Sequence, residues 1–74
     1  MIKKDWEKKA RLILKGELAR HDINYDELAK RLRSISVEAS PQNLSNKINR
    51  GTFSAAFFLQ CLHVVGINNL RIND

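Results

Sequence analysis

A chain of 74 residues with 43% hydrophobic residues is long enough for one small domain and too apolar to remain disordered. It contains no apolar run near the roughly 20 residues of a membrane helix. Its basic N-terminus lacks the features of a signal peptide, and its single cysteine excludes an internal disulfide. We therefore expect a cytoplasmic domain without a membrane partner.

The formal net charge of +5 is unevenly distributed along the chain. Residues 1–20 carry +4, residues 21–40 carry −1, and residues 41–74 carry +2, with no acidic residue between Ala39 and Asn73. Basic surfaces attract polyanions, so nucleic acid is the expected partner and an anionic membrane surface the weaker alternative. Many small soluble domains are mildly basic, so charge alone does not decide for nucleic acid.

Helical spacing of apolar residues along nearly the whole chain predicts an all-α bundle of four to five helices. The first helix is expected at about residues 5–21, with Asp5 as its N-cap. Its apolar side runs from Trp6, interpreted as a lid on the core, to Leu18. Glycine is unfavourable inside a helix, so Gly16 predicts a place where a neighbouring backbone approaches closely.

The second helix, expected at residues 24–34, has the clearest start signal. Asn24 is the predicted N-cap, and Glu27 stands three residues further on, which is the spacing of a capping box. The segment Ser34 to Ala39 is predicted to be an extended loop, with a short strand as the alternative.

The third helix is expected at residues 40–50. Ser40 is its predicted N-cap, Pro41 occupies the first position, and Gly51 supplies a left-handed C-terminal residue. Leu44 and Ile48 mark the buried side. At about 100° per residue, the outer side is then centred on the amide of residue 46.

This outer side combines amides, which match adenine edges, with a guanidinium, which matches guanine. The residues predicted to contact bases are Gln42, Asn43, Asn46, Asn49 and Arg50. The residues predicted to contact phosphates are Ser45, Lys47, Thr52, Ser54 and Tyr25. Amide side chains also cover helix surfaces that touch nothing, and this is the competing interpretation.

The fourth helix, expected at residues 54–66 with Ser54 as N-cap, is apolar around most of its circumference. Such a helix is either central in the fold or part of a subunit contact. A lone module of this size binds a DNA half-site weakly, so we expect a homodimer. The predicted dimer contacts are Phe57, Val64, Leu70 and Ile72.

The sequence offers no arrangement typical of catalysis. We find no nucleophile beside a base, no glycine loop for phosphates and no carboxylate cluster, so we do not expect an enzyme or a small-molecule substrate. Cys61, His63 and His21 lack the spacing of a zinc site, so no metal or cofactor is expected, and Cys61 is interpreted as a small core residue.

Two resemblances to known families follow from these segments. YDELAKRL, followed by SPQNLSNKINRG and a capped apolar helix, resembles the lambda-repressor-like helix-turn-helix group of the Cro and cI type over about residues 8–66. That resemblance implies a compact DNA-binding fold with the helix Pro41–Arg50 in the major groove. NLSNKINRGTFSAAFFLQCLHVVG more closely resembles a bacterial family of small domains of unknown function, which implies no established activity.

The leading hypothesis is sequence-specific binding of double-stranded DNA by a transcriptional regulator from a bacterium or phage. The alternative is a protein-interaction module that keeps the helix-turn-helix scaffold without DNA binding and acts through its fourth helix and tail. RNA binding is a third hypothesis, for which the sequence lacks aromatics suited to stacking on bases.

Overall fold

The computed structural model describes residues 2–73, in which four helices are joined by three short segments and no strand is present. The helices are α1 (Lys3–Arg20), α2 (Tyr25–Ser34), α3 (Pro41–Arg50) and α4 (Ala55–Val65). The all-α class predicted from apolar spacing is therefore confirmed. Met1 and Asp74, the ends of the predicted domain and of its tail, lie outside the described residues.

The core forms where two pairs of helices cross. α1 and α2 each pack against both α3 and α4. The largest fully buried side chains are Leu14, Leu28, Leu32, Ile48 and Cys61. Burying one leucine contributes roughly 1.5–3 kcal/mol, so these contacts dominate the stability of a domain this small. α4 packs against both α1 and α2, which buries Phe57, Cys61, Leu62 and Val65, whereas its Leu59 stays exposed.

Three helices begin with the side-chain caps that the sequence predicted. The side-chain oxygens of Asn24, Ser40 and Ser54 accept the backbone N–H three residues further on, at 2.8, 3.2 and 3.0 Å. A cap of this kind stabilises a helix by about 1 kcal/mol. These caps fix where α2, α3 and α4 start, and hence which residues of α3 face outward.

Two details of the predicted helix starts are wrong. α1 begins at Lys3 with Ile2 in the N-cap position, and Asp5 lies inside the helix, where it accepts the Ile2 N–H at 3.3 Å. The Glu27 carboxylate does not turn back to complete a capping box, because it binds the Arg31 guanidinium at 2.8 Å. That hydrogen bond holds the pKa of Glu27 below its ordinary value.

Three helices end with one shared backbone arrangement, the Schellman motif. A residue with left-handed φ follows the helix, and the next residue donates its N–H back across the last turn. The left-handed residues are Asp22, Ser36 and Gly66, with φ of 56°, 64° and 93°. The returning hydrogen bonds are Ile23 to Leu18, Val37 to Leu32 and Ile67 to Leu62, at 2.9, 3.0 and 2.9 Å.

This motif corrects the prediction for the segment between α2 and α3. The segment starts as a tight turn at Ile35 and Ser36 instead of an extended loop, and residues 34–39 contain no strand. Val37 then packs against the core and anchors the remaining residues before Ser40. The segment that leads into α3 is therefore fixed in place by the packing of Val37 against the core.

A close approach of two backbones occurs at Gly51, not at Gly16. A Cβ on Gly51 would overlap the carbonyl oxygen of Glu7 in α1 and lie 3.0 Å from its carbonyl carbon. Gly51 also has a left-handed φ of 71°, so two independent constraints favour glycine there. A Cβ on Gly16 would meet nothing within 4 Å, so the prediction for Gly16 is wrong.

The prediction that Trp6 covers the core is also wrong, since Trp6 is 54% exposed. At about 100° per residue, Trp6 lies about 120° around α1 from Leu18, beyond the side that contacts the other helices. Its ring instead lies beneath the Lys9 ammonium, 5.4 Å from the ring centroid. Among residues 2–73, no helix combines the length and the apolar content that a membrane crossing requires.

Candidate nucleic-acid interface

α3 separates its apolar and polar side chains completely. Leu44 and Ile48 are buried against the other helices, and the opposite side is exposed. The exposed outer side carries Gln42, Asn43, Asn46 and Arg50. Gln42 Nε2 donates to Asn46 Oδ1 at 3.3 Å, so this amide pair is already oriented along the helix. Four of the five residues predicted to contact bases therefore share one surface.

A cleft of about 400 Å³ lies beside this surface, between α3 and the start of α4. Its polar residues are Asn43, Asn46, Lys47, Arg50, Thr52 and Ser54, and we call it the α3–α4 cleft. No acidic residue lines it. The N-terminus of α4 also opens here, and the partial positive charge of a helix N-terminus adds to the two cations. The cleft is therefore suited to an anion.

Lys47 is held at the edge of the cleft by an aromatic ring. Its ammonium lies 4.7 Å from the centroid of the Phe57 ring. Such a cation–π contact contributes about 0.5–1 kcal/mol at an exposed site. Phe57 in turn packs against Phe53, with ring centroids 5.7 Å apart. The Lys47 ammonium is thus positioned by the buried Phe57 ring, which the half-buried Phe53 supports, and the lysine remains exposed to solvent.

Asn49 is exposed and Ser45 is half-buried, and both side chains are engaged in hydrogen bonds at the edge of α3 that faces α1. The Asn49 side chain accepts a hydrogen bond from Lys15 Nζ at 2.9 Å and donates to Ser45 Oγ at 3.3 Å. The Asn49 backbone carbonyl accepts from the Arg11 guanidinium at 3.2 Å. Asn49 therefore connects α3 to α1, with Ser45 as its partner within α3, and base contact by Asn49 stays a prediction.

Arg11 and Lys15 are the functional candidates that sequence reasoning missed. They lie four residues apart on α1, so they project from one side of that helix beside the C-terminal end of α3. This spacing is visible in the sequence. Their position beside α3 is not, because it depends on contacts between residues more than 30 positions apart.

Tyr25 lies in a separate place from the α3–α4 cleft. Its ring is half-buried in a shallow cleft shared with Lys15 and Leu18 of α1. Partial burial raises the pKa of the Tyr25 hydroxyl above its ordinary value, so the group stays a neutral donor. The predicted phosphate contact by Tyr25 would therefore occur beside Lys15, away from Lys47 and Arg50.

The predicted dimer contacts are mostly occupied within the chain. Phe57 is only 6% exposed, so it cannot meet a second molecule, and this prediction is wrong. Val64 and Leu70 are half-buried against the core. Ile72 is the one residue of the predicted set that is fully on the surface, at 58% exposure.

No reactive or metal-binding group stands out among residues 2–73. Cys61 is completely buried, and burial raises the pKa of its thiol to about 12, so the thiol stays protonated at neutral pH. Within the same residues, no three histidine, cysteine, aspartate or glutamate side chains are grouped as metal ligands would be. The chemistry that this surface offers is hydrogen bonding and charge.

Comparison with protein families gives one match, which covers residues 6–70. A comparison with curated proteins and one with solved structures found no match. The matched region extends from the first turns of α1 to the segment after α4, so it includes the α3–α4 cleft and the packing beneath it. The chain belongs to the family described as a domain of unknown function, DUF6471.

Proposed function

We propose that this domain binds double-stranded DNA, with α2 and α3 as a helix-turn-helix pair and the outer side of α3 in the major groove, and that it regulates transcription. The observation that carries the proposal is the acid-free surface formed by the outer side of α3 and the α3–α4 cleft. An ordinary solvated helix face carries carboxylates and cations together.

The outer side of α3 has the hydrogen-bonding groups that base edges require. The carboxamides of Gln42 and Asn46 can each donate and accept at once, which matches N6 and N7 of adenine. The Arg50 guanidinium can donate twice to O6 and N7 of guanine. Because the side chains of residues 42, 46 and 50 follow one another by four, they lie in a row about 12 Å long along the helix. We assign base contact to these three residues.

Phosphate contact is assigned to the two sides of α3. Lys47, Thr52 and Ser54 face the cleft at one side, where the N-terminus of α4 adds backbone N–H donors. Arg11 and Lys15 lie at the other side, next to the C-terminal end of α3. Cations on both sides of a groove-binding helix match the two phosphate strands that border the major groove.

The matched pair Asn46→Ala and Asn49→Ala tests this assignment. Both residues are exposed asparagines on α3, but Asn49 is bound to α1. With a duplex obtained by selection from random sequences, we expect Asn46→Ala to weaken binding by about 10-fold or more, on the order of 1–3 kcal/mol per lost base contact, and the added Arg50→Ala to weaken it further. Asn49→Ala is expected to retain base preference.

A control at Lys30 separates specific contact from net charge. Lys30 is exposed on α2 and lies near Asp26 and Glu27, away from the α3–α4 cleft. Lys30→Ala should leave DNA affinity nearly unchanged, whereas Lys47→Ala should weaken it for all sequences. Equal losses from both variants would favour non-specific attraction and would contradict the proposed surface.

The alternative function, a protein-interaction module without DNA binding, keeps one supporting observation. It comes from one residue of α4, Leu59, which is 63% exposed, while Phe57, Cys61, Leu62 and Val65 of the same helix are buried. Under this alternative, Leu59→Ala would abolish partner binding and the α3 variants would have no effect.

A further inference from the structure

The outer side of α1 forms a second surface with a different chemistry. A groove of about 500 Å³ runs along it, bordered by the chain after α4. The residues on its α1 side that matter here are Asp5, Lys9, Leu12, Ile13, Gly16 and Arg20, and we call it the α1 groove. Leu12, at the middle of the helix, is 54% exposed. Charges of both signs, with cations in the majority, flank this apolar centre.

The order of these residues along the helix is self-complementary. The acid, Asp5, lies near the N-terminal end of α1, the cation, Arg20, forms its C-terminal end, and the apolar pair Leu12 and Ile13 lies at its midpoint. If a second α1 is laid antiparallel across the first, with a two-fold axis between residues 12 and 13, each acid faces the cation of the other copy. The apolar residues then meet at the centre, as an isologous contact requires.

Gly16 fits the same arrangement. Glycine is less favourable in a helix than any residue except proline, yet no neighbour within the chain uses the missing side chain, since an added Cβ would have nothing within 4 Å. In the antiparallel arrangement, Gly16 lies opposite Lys9 of the second copy. The absent side chain leaves open space opposite that lysine.

We propose that the α1 groove is the contact between two copies of this chain, with their α1 helices antiparallel. The contact replaces the surface that the sequence suggested on α4 and keeps Ile72 of the tail, which lines the groove. It leaves α3 free, because Arg11 and Lys15, which reach α3, lie on a different side of α1 from Leu12 and Gly16. The inference does not depend on DNA binding.

The size of the contact sets the expected affinity. α1 has 18 residues and is therefore about 27 Å long. One helix side of this length, with the flanking residues of the tail, buries less than the roughly 800 Å² per partner of a standard stable interface. We therefore expect a weak dimer, with a Kd on the order of 10–100 µM.

The matched variants Gly16→Lys and Gly16→Glu test the contact. Both replace glycine by a better helix former at an open position, so neither should unfold the chain. They differ in the charge placed opposite Lys9 of the second copy. In sedimentation equilibrium from about 10 µM to 1 mM, Gly16→Lys should raise the Kd at least about 10-fold, and Gly16→Glu should leave it unchanged or lower it.

A net-charge control and a charge-exchange experiment complete the test. Lys30→Glu on α2 lowers the net charge without touching the α1 groove, and it should leave the Kd unchanged. Asp5→Lys and Arg20→Glu should each dissociate the dimer alone, and their equimolar mixture should associate again. Since Arg20 also binds the buried Glu17 carboxylate at 2.6 Å, circular dichroism must confirm that Arg20→Glu stays folded.

Either of two results would overturn the proposal. One is a monomeric parent chain at 1 mM. The other is a pair of Gly16 variants that shift the Kd in the same direction and by the same factor. DNA titration of the same variants distinguishes this failure from failure of the proposed function, because α3 is unchanged in all of them.

Discussion

α1 and α3 are both amphipathic helices that turn leucine or isoleucine toward the core, but their outer sides differ. The outer side of α3 carries amides and cations and exposes no large apolar residue. The outer side of α1 exposes Trp6 and Leu12 among charges of both signs. The large apolar residues of α3 are thus buried within the chain, whereas two large apolar residues of α1 remain exposed. This difference is the basis on which we propose an anion for the first surface and a protein surface for the second.

The largest expected effect concerns the place where these two helices meet. Gly51→Ala introduces a Cβ into the Glu7 carbonyl and strains a left-handed residue, so it should lower the free energy of unfolding by roughly 3–5 kcal/mol. Gly66→Ala strains a left-handed residue but introduces no overlap, so it should lower the free energy of unfolding by roughly 1–2 kcal/mol. Urea denaturation measures both. Equal losses would mean that the approach of α1 to the end of α3 does not constrain the fold.

The buried Cys61 thiol in the core predicts that the free energy of unfolding depends on pH. Burial raises the pKa of the Cys61 thiol to about 12, while in the unfolded chain it titrates near 8.5. Between these values the unfolded state binds fewer protons, so stability is complete below about pH 8.5 and falls as pH rises, by up to about 1.4 kcal/mol per pH unit. Denaturation of the parent chain and Cys61→Ala from pH 7 to 10.5 measures this term. A parallel pH dependence in both proteins would contradict it.

Two asparagines on α3 should separate stability from recognition. Asn49→Ala removes the hydrogen bonds to Lys15 and Ser45, so it should lower stability by about 1 kcal/mol. Asn46→Ala removes an exposed side chain and should change stability by less than about 0.5 kcal/mol. Thermal unfolding measures both stability effects, and DNA titration measures recognition by the same two variants. A stability loss at Asn46 equal to that at Asn49 would remove the distinction between the two sides of α3.

The smallest expected effect is a gain in stability at the end of α2. Ser36 has a left-handed φ of 64° at the end of α2, where glycine is the unstrained residue. Ser36→Gly should stabilise the chain by at most about 1 kcal/mol, since the released strain is partly offset by the greater entropy of glycine in the unfolded state. Ser34→Gly, inside the last turn of α2, is the matched control and should destabilise.

Local features of this fold could be predicted from the sequence, and distant ones could not. The caps at Asn24, Ser40 and Ser54 depend on atoms three residues away, so the residue types sufficed. The inner and outer sides of α3 followed from helical periodicity. The orientation of Asn49 depends on Lys15, 34 positions away, and no local pattern indicates that contact.

The two glycines that the sequence singled out show the same limit of prediction from local patterns. Gly16 and Gly51 both stood out in the sequence, but only the packed chain shows which one meets a neighbouring backbone. Trp6 was assigned to the core because it continues an apolar side of α1. That side is wider than the region that α3 and α4 cover, so its edge stays exposed.

The most direct test of the central claim is a titration of a labelled random duplex at several salt concentrations. Binding through the α3–α4 cleft and the adjacent cations predicts a linear fall of log K with log salt, with a slope of about −2 to −4. Lys47→Ala should reduce the magnitude of that slope by about 1, while Lys30→Ala should not change it. An absence of binding at about 20 mM salt would contradict the proposed DNA binding. A slope that Lys47→Ala leaves unchanged would contradict binding through the α3–α4 cleft.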